Sequence, residues 1–187
     1  VRGQHVINGR LSIPNKNCET WPARWTQAVD SFDPDITVIM VGAWEVYDRK
    51  VDGRTLRVGT PEYERYLDSE MELALGIVAE RGAPIALMNV PCYDQPNLQL
   101  GDPPSERNDP ARVAWLNQVF QRIVARHTKR LHLIDVGSFL CPGGHDVQKM
   151  NGVQVRRDGV HFTPEGAGLV WRWMGPQLVD LATHPNG

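Results

Sequence analysis

The sequence lacks the patterns of a membrane-spanning or nucleic-acid-binding chain. Its longest apolar run, residues 36–44, is much too short to cross a bilayer, and its N-terminus lacks the basic-then-apolar order of a signal peptide. Twenty Lys and Arg residues stand against 22 Asp and Glu residues, for a net charge of −2. Because no basic excess favours an anionic polymer, we expect a soluble chain that has no nucleic-acid partner.

The sequence also lacks the glycine-rich loops that bind nucleotides. Neither GxGxxG nor a Walker-type loop occurs, which disfavours a flavodoxin-like nucleotide binder. Cysteine pairs at CxxC spacing are absent as well, which argues against a structural zinc site and a thioredoxin-like motif. We therefore expect neither a cofactor nor a metal ion.

Cysteine is scarce, and its odd count needs an explanation. Of the three residues, Cys92 and Cys141 fall in segments that leave the same end of two adjacent predicted strands, so they could form a disulfide if their Cβ atoms face each other. Cys18 would then be free, or paired outside this chain. Two alternatives stay open: three reduced thiols, and a metal site that uses Cys92, Cys141 and His145 without any short ligand spacing.

The remaining composition is that of one globular α/β domain. Of 187 residues, 41% are hydrophobic and 22% are charged, which is enough to build a sizeable core. No repeat or low-complexity tract interrupts the chain, so residues 1–187 are predicted to form a single domain. The chain begins at Val1 without a methionine, and its first residues resemble the middle of a fold. We expect the domain to be N-terminally incomplete.

Short apolar runs rich in Val and Ile predict strands that are buried on both faces. The runs cover residues 36–44, 84–90 and 131–136, and residues 5–8 could add another strand. Three long segments follow the apolar runs and are predicted to be loops on the ligand side of the sheet. They cover residues 45–59, 91–108 and 137–162.

Helix starts are indicated by a capping side chain followed by proline, whose missing N–H costs nothing in a first turn. The pattern occurs at Thr60-Pro61, Asp109-Pro110 and Thr163-Pro164. Apolar stripes then predict helices over 61–81 and 110–127, a helix from 164 with a kink or restart at Gly175-Pro176, and an earlier helix over 22–32. This alternation of strands and helices predicts a doubly wound parallel sheet.

Asp158 and His161 are the first candidates for catalysis. A histidine becomes a general base for a hydroxyl when a carboxylate holds one ring nitrogen and the other ring nitrogen faces the nucleophile. Two residues three apart, in a turn that enters a helix, can make that contact. The alternative is a polar loop in which the aspartate caps a turn and the histidine rests against Phe162.

Gly42 is the second candidate, because it ends the longest apolar run. It has no side chain to keep a reacting group away from its backbone N–H, which could stabilise a developing oxyanion. In the alternative interpretation, Gly42 is a bend at the end of a strand and Trp44 closes the core.

Together these residues resemble the SGNH hydrolase superfamily, also called GDSL esterases. Asp158-Gly159-Val160-His161 matches the family's Asp-x-x-His block, which lies before the final helix. Gly42 matches the glycine of its Gly-x-Asn block, although Trp44 occupies the place of the asparagine. Gly9, after residues 5–8, resembles the glycine that follows the family's second strand. The resemblance implies that Gly42, Trp44 and Gly9 surround an oxyanion or substrate.

More closely, residues 21–25, 33–49 and 158–178 resemble the extracytoplasmic SGNH-like domain of actinobacterial membrane acyltransferases of the acyltransferase-three type. The resemblance implies a flavodoxin-like three-layer sandwich with a parallel sheet and an extracytoplasmic location. It also implies O-acyl transfer to, or removal from, acylated cell-envelope glycans, a carbohydrate or other ester being the substrate. A membrane acyltransferase domain encoded upstream is the implied partner.

The family's Gly-Asp-Ser nucleophile block is absent from this chain. Its serines are Ser12, Ser31, Ser69, Ser105 and Ser138, and none follows a predicted strand in a nucleophile turn. In this family the nucleophile lies on the first strand, so we expect the sheet to lack that strand and the chain alone to be nearly inactive. The alternative is a catalytically inactive glycan-binding module.

Further residues after Gly42 are candidate contacts in a substrate cleft. Asp48 and Arg49 could orient a sugar hydroxyl or form a solvated ion pair. Glu45 could polarise a group in the cleft or cap the loop. Tyr47 and Trp44 should contribute to glycan binding if the domain is a binding module.

Overall fold

The computed structural model describes residues 1–13, 16–97 and 103–184 of the chain. The strands are β1 (Gln4–Ile7), β2 (Arg10–Leu11), β3 (Thr37–Ile39), β4 (Asp48–Val51), β5 (Arg54–Leu56), β6 (Ile85–Met88), β7 (Leu131–Ile134), β8 (Lys149–Met150) and β9 (Val153–Gln154). The helices are α1 (Lys16–Glu19), α2 (Trp21–Phe32), α3 (Pro61–Val78), α4 (Pro110–Arg126), α5 (Val136–Leu140) and α6 (Pro164–Thr183). Short 3-10 turns occur at Glu106–Asn108 and Pro142–Gly144. Across the described ranges, no helix is both long and apolar enough to cross a membrane.

A parallel sheet with strand order β3-β6-β7 forms the centre of the fold. Strand β6 pairs with both neighbours, and all four of its residues are buried. Ile85 and Leu87 belong to one apolar cluster, whereas Ala86 and Met88 belong to another. Because side chains alternate between the two faces of a strand, both faces of β6 are covered.

The two clusters define the outer layers of a three-layer sandwich. Helices α2, α3 and α4 contribute Val29, Leu67 and Leu116 to the cluster that contains Ile85. Helix α6 contributes Val170, Met174 and Leu178, which lie one turn apart, to the cluster on the opposite face. The predicted α/β sandwich with a parallel sheet is confirmed.

Helices α3, α4 and α6 begin at the three predicted caps. The side chains of Thr60, Asp109 and Thr163 accept hydrogen bonds from backbone N–H groups in the first turns. The kink or restart predicted at Gly175-Pro176 does not break α6, which is one continuous helix from Pro164 to Thr183. Proline removes one intrahelical hydrogen bond, but the buried stripe holds both halves of the helix against the sheet.

Residues 5–8 and 45–59 do not have the predicted arrangement. Strand β1 joins a separate antiparallel sheet of order β2-β1-β4-β5, and β4 and β5 form a hairpin within the segment predicted to be a loop. Both hairpin turns, Asn8-Gly9 and Asp52-Gly53, have positive φ at each residue. Such Asn-Gly and Asp-Gly pairs are a strong hairpin signal, which the apolar-run argument ignored.

The segment 137–162 is also more ordered than a loop. It contains α5, a 3-10 turn and the β8–β9 hairpin, and it ends in the turn that carries Asp158 and His161. A backbone hydrogen bond joins Arg157 N–H to the carbonyl of His161 at 2.8 Å. The turn therefore lies at a fixed place just before α6.

Candidate active site

Asp158 and His161 form a hydrogen-bonded pair. Asp158 Oδ2 lies 2.9 Å from His161 Nδ1, while Asp158 Oδ1 accepts the backbone N–H groups of His161 at 2.8 Å and Val160 at 3.2 Å. These bonds, the backbone one from His161 first and its ring bond second, hold the pKa of Asp158 well below its usual value. The carboxylate stays ionised near neutral pH and fixes the orientation of the ring.

The other ring nitrogen of His161 is available to a reacting group. An ionised carboxylate only accepts hydrogen bonds, so in the neutral imidazole Nδ1 carries the proton and Nε2 presents a lone pair. Within the described ranges no group bonds to Nε2, and the side chain is 66% exposed. Nε2 can therefore take a proton from a hydroxyl, which is what a general base does.

His161 opens onto a cavity of about 450 Å³ at the carboxyl ends of β3 and β6. Gly42 and Trp44 line the same cavity, as do Asn89 and Arg107. This volume lies in the usual range for small-molecule sites, roughly 300–1,000 Å³. The structure thus brings the Asp-x-x-His pair and the glycine that ends β3 to one place.

Gly42 does not present a free oxyanion donor. Its N–H donates to Glu45 Oε2 at 2.7 Å, in a buried position. Its φ is +129°, and a Cβ atom would lie 2.3 Å from Val90 Cγ2, so glycine is required here by conformation and close packing. The predicted oxyanion role of Gly42 is not supported in this arrangement, because the carboxylate already occupies the N–H.

Gly9 is far from a catalytic arrangement. It forms the β1–β2 turn with Asn8, and no atom lies within 4 Å of the place where its Cβ would be. It does not line the cavity that contains His161. The strand before Gly9 belongs to the antiparallel sheet, so the structure does not bring Gly9 together with Gly42 and His161.

The proposed cleft residues Glu45, Asp48 and Arg49 are structural. Glu45 lines the cavity, but its carboxylate binds Gly42 N–H and lies 3.6 Å from the Arg49 guanidinium. Arg49 is 0% exposed and donates to backbone carbonyls of residues 1–3. Asp48 accepts from Val58 N–H and pairs with an arginine of α4. Arg49 is thus buried and Asp48 is partly exposed beside α4, and neither lines the cavity that contains His161.

Trp44 and Tyr47 lie beside a second, smaller cavity of about 180 Å³, which they line together with Ser105. Tyr47 is buried, and its hydroxyl lies 3.0 Å from Ser105 Oγ. Trp44 is 48% exposed and lines both cavities. A ligand in the larger cavity can therefore reach Trp44, whereas Tyr47 supports the wall behind it.

Sequence reasoning missed Arg107 and Asn89. Asn89 directly follows β6, where its side chain donates to Asp135 Oδ1 at 2.6 Å and accepts from Gly137 N–H at 2.7 Å, which ties the ends of β6 and β7 together. Its position at the end of a predicted strand could have identified Asn89 as a candidate site residue. Arg107 gave no such signal, since it lies in a hydrophilic segment that resembled a surface loop.

Cys92 and Cys141 are joined in a disulfide, and Cys18 is a free thiol. The disulfide removes the alternatives of three reduced thiols and of a metal site built on Cys92 and Cys141, because paired sulfurs are not thiolate ligands. Over residues 1–13, 16–97 and 103–184, no three His, Cys, Asp or Glu residues are grouped to hold a metal ion.

Arg156 connects this disulfide to the turn of the Asp–His pair. It is 2% exposed and donates to the carbonyls of Cys92 and Gly159. Asp94 N–H also donates to the carbonyl of Gly159. The segment after β6 therefore holds the turn in place from one side.

None of the chain's five serines lines the His161 cavity among the residues described. Ser31 and Ser69 bond to carbonyls within their own helices, Ser12 and Ser105 bond in loops, and Ser138 donates to Asp135. No serine is thus placed for activation by His161.

The fold is similar to that of a solved protein structure. A crystal structure of a candidate acylhydrolase from Bacteroides fragilis superposes with a TM-score of 0.58 at 16% sequence identity, covering 88% of this chain and 70% of that one. No curated protein matches the sequence.

Residues 11–174 match the family described as "Protein of unknown function (DUF459)". The match spans most of the chain, and the chain belongs to this family.

Proposed function

We propose that this chain is an ester-processing domain of the SGNH type, in which His161 is the general base and Asp158 orients it. The observation that carries the proposal is the pair itself: Nδ1 is held at 2.9 Å by an ionised carboxylate, and Nε2 is free beside a cavity at the carboxyl end of a parallel sheet. Ligands of open α/β sheets bind at that end.

The proposed reaction needs a serine hydroxyl at Nε2. Nε2 takes the hydroxyl proton while the oxygen attacks the ester carbonyl, and the imidazolium then protonates the departing alcohol. Water or an acceptor hydroxyl next attacks the acyl-enzyme while His161 removes its proton, and His161 then returns that proton to the departing serine oxygen. Hydrolysis and O-acyl transfer thus share one arrangement and differ only in the acceptor.

The nucleophile is proposed to lie on a strand outside these 187 residues. Support comes from β3, which in the described part of the chain pairs only with β6. Next to it is a cavity of about 180 Å³, lined by Val41 and by apolar side chains of α2 and α3, including Trp25 and Met71. A further strand there would satisfy the free edge of β3.

Acylated cell-envelope glycans are the proposed substrates, and a membrane acyltransferase domain encoded upstream is the proposed partner. The disulfide supports an extracytoplasmic location, because disulfides persist mainly in oxidising compartments. The exposed edge of Trp44 in the cavity would suit the apolar face of a sugar ring.

The test labels the natural, full-length protein with a fluorophosphonate, which reacts with base-activated serines. We expect labelling at a serine outside these 187 residues, slowed by several powers of ten in His161→Ala. The matched control is His184→Ala, since His184 is an exposed histidine whose Nδ1 lies 3.1 Å from Asp180 on α6. Equal labelling of the two variants would contradict the proposal.

A catalytically inactive glycan-binding module is the second candidate, favoured by the cavity's lack of serine and by the engagement of Gly42 N–H with Glu45. It predicts no labelling of the full-length protein. It also predicts binding of acylated glycans by this chain, weakened by Trp44→Ala and less by Tyr47→Phe, whose ring stays in place. A labelled serine would eliminate this candidate.

A further inference from the structure

Three arginines are buried in the described part of the chain, and they differ in their partners. Arg49 lies 3.6 Å from the Glu45 carboxylate, and Arg156 lies 2.9 Å from that of Asp146. Arg107 is 3% exposed and, in the same ranges, has no carboxylate within ion-pair distance. A buried charge is costly unless it is paired, so the unpaired arginine calls for an explanation.

The guanidinium of Arg107 is held by neutral groups. Its carbon lies 4.8, 5.2 and 5.7 Å from the ring centroids of Trp44, Tyr47 and Tyr93. Nε donates to the carbonyl of Ala43 at 2.7 Å, and Nη1 donates to Gln95 Oε1 at 3.1 Å. Aromatic faces and carbonyl oxygens offset part of the cost of a buried cation, but they leave its full positive charge uncompensated.

One nitrogen of this arginine remains available. Nη2 has no hydrogen-bond partner in the described ranges, whereas Nε and Nη1 each have one. Arg107 lines the 450 Å³ cavity that also contains His161. Its fixed stacking and two fixed hydrogen bonds leave one edge of the guanidinium for a ligand that enters this cavity.

The carboxylates nearest to this cavity already have partners. Glu45 is held by Gly42 N–H and Arg49, and Asp158 is held by His161. Neither is free to turn toward Arg107 without abandoning those bonds. Neither carboxylate therefore serves as the counter-ion of Arg107.

We infer that Arg107 binds a carboxylate of the substrate, so that the ester processed here is anionic. This inference rests on the proposed function for the identity of the cavity as a substrate site. A planar guanidinium in a low-dielectric wall binds carboxylates through charge-assisted hydrogen bonds, which are stronger than neutral ones. The carboxylate belongs either to the acyl group, as in a half-ester of a dicarboxylic acid, or to an acidic sugar.

The test titrates this chain with two pairs of small ligands that differ in charge and are similar in size. Succinate is compared with succinamide, for the acyl source, and glucuronate with glucose, for the sugar source. Binding is followed by two-dimensional NMR through the Trp44 indole N–H and the Arg107 Nε–H signals. We expect at least one acid to bind about tenfold or more tightly than its neutral partner, and the pair that shows the preference identifies the source.

Substitutions of Arg107 distinguish a role in binding the carboxylate from a role in packing against the aromatic rings. Arg107→Gln should abolish the preference for the acid, and Arg107→Lys should keep part of it, because the charge remains while the planar fork is lost. Arg122→Gln removes an exposed arginine that pairs with Glu64 and should change nothing. The inference would be overturned if the acids bind the unmutated chain no more tightly than their neutral partners do. This measurement needs no variant.

The two proposals fail separately. The fluorophosphonate carries no carboxylate, so its reaction with serine does not depend on Arg107. Serine labelling without a preference for acids would support the esterase proposal with a neutral substrate and would contradict the proposed role of Arg107. Acid preference without any labelled serine would keep the carboxylate site and assign it to a binding module.

Discussion

Replacing Gly159 by alanine should destabilise the turn that carries Asp158 and His161. Gly159 has φ of +71°, and a Cβ there would lie 2.0 Å from the carbonyl oxygen of Asp94. The left-handed conformation costs alanine about 1–2 kcal/mol, and forcing the backbone at Asp94 aside adds about 1–3 kcal/mol. Because the disulfide at Cys92 limits how far that backbone can move, we expect the free energy of unfolding to fall by about 2–5 kcal/mol.

The control for Gly159→Ala is Gly152→Ala. Gly152 has φ of +80°, but no atom lies within 4 Å of its added Cβ, so this variant carries the conformational cost without the clash. Urea unfolding followed by circular dichroism gives both free energies by linear extrapolation. Equal losses in the two variants would refute the argument that the turn is packed against the segment after β6.

Two further predictions concern stability. The double variant Cys92→Ser with Cys141→Ser removes the disulfide, which closes a loop between cysteines 49 residues apart. The free energy of unfolding should fall by about 4 kcal/mol, because the unfolded chain gains entropy. An unchanged free energy in urea unfolding would contradict this prediction. Burial, and then the charge of Arg49, lowers the pKa of His5 from 6.5 to about 4, so the unfolded chain binds a proton that the folded state excludes. Stability should therefore be full above pH 6.5 and fall by about 3 kcal/mol toward pH 4. His5→Phe should flatten that slope in urea unfolding at several pH values, and identical slopes would count against the assignment.

The layers of the fold could be predicted from the sequence because local patterns determine them. Strand β6 is a short run of apolar residues without alternation, as a strand covered on both faces requires. Thr60, Asp109 and Thr163 begin helices because a side-chain oxygen and a following proline satisfy the first turn wherever they occur.

The antiparallel sheet could not be predicted by the same reasoning. Strand β4, with residues Asp48 to Val51, is polar, and it pairs on one side with β5 across a local turn and on the other with β1, more than 40 positions earlier. That pairing buries Arg49 completely. Arg49, which the sequence suggested could form a solvated ion pair, is therefore buried in the fold. No pattern in the neighbouring residues predicts that burial.

The candidate site likewise combines contacts that local sequence determines with contacts between distant segments. The contact between Asp158 and His161 is local, since residues three apart in one turn supply both partners, and the motif predicts it. The state of Gly42 N–H depends on which rotamer the nearby Glu45 adopts, and that depends on Arg49 and therefore on the antiparallel sheet. Arg107 reaches the cavity through a hydrogen bond to Ala43, 64 residues away.

The local contact and the long-range contacts of the site should respond differently to substitutions. The bond between Asp158 and His161 needs only its own turn, so it should survive damage elsewhere. Its placement at the cavity that Gly42 also lines depends on Arg156, which joins the carbonyls of Cys92 and Gly159, and on the Cys92–Cys141 disulfide. Changes to Arg156 or to the disulfide should therefore leave an intact acid–base pair in the wrong position. A chain that keeps the motif is thus not necessarily one that keeps the site.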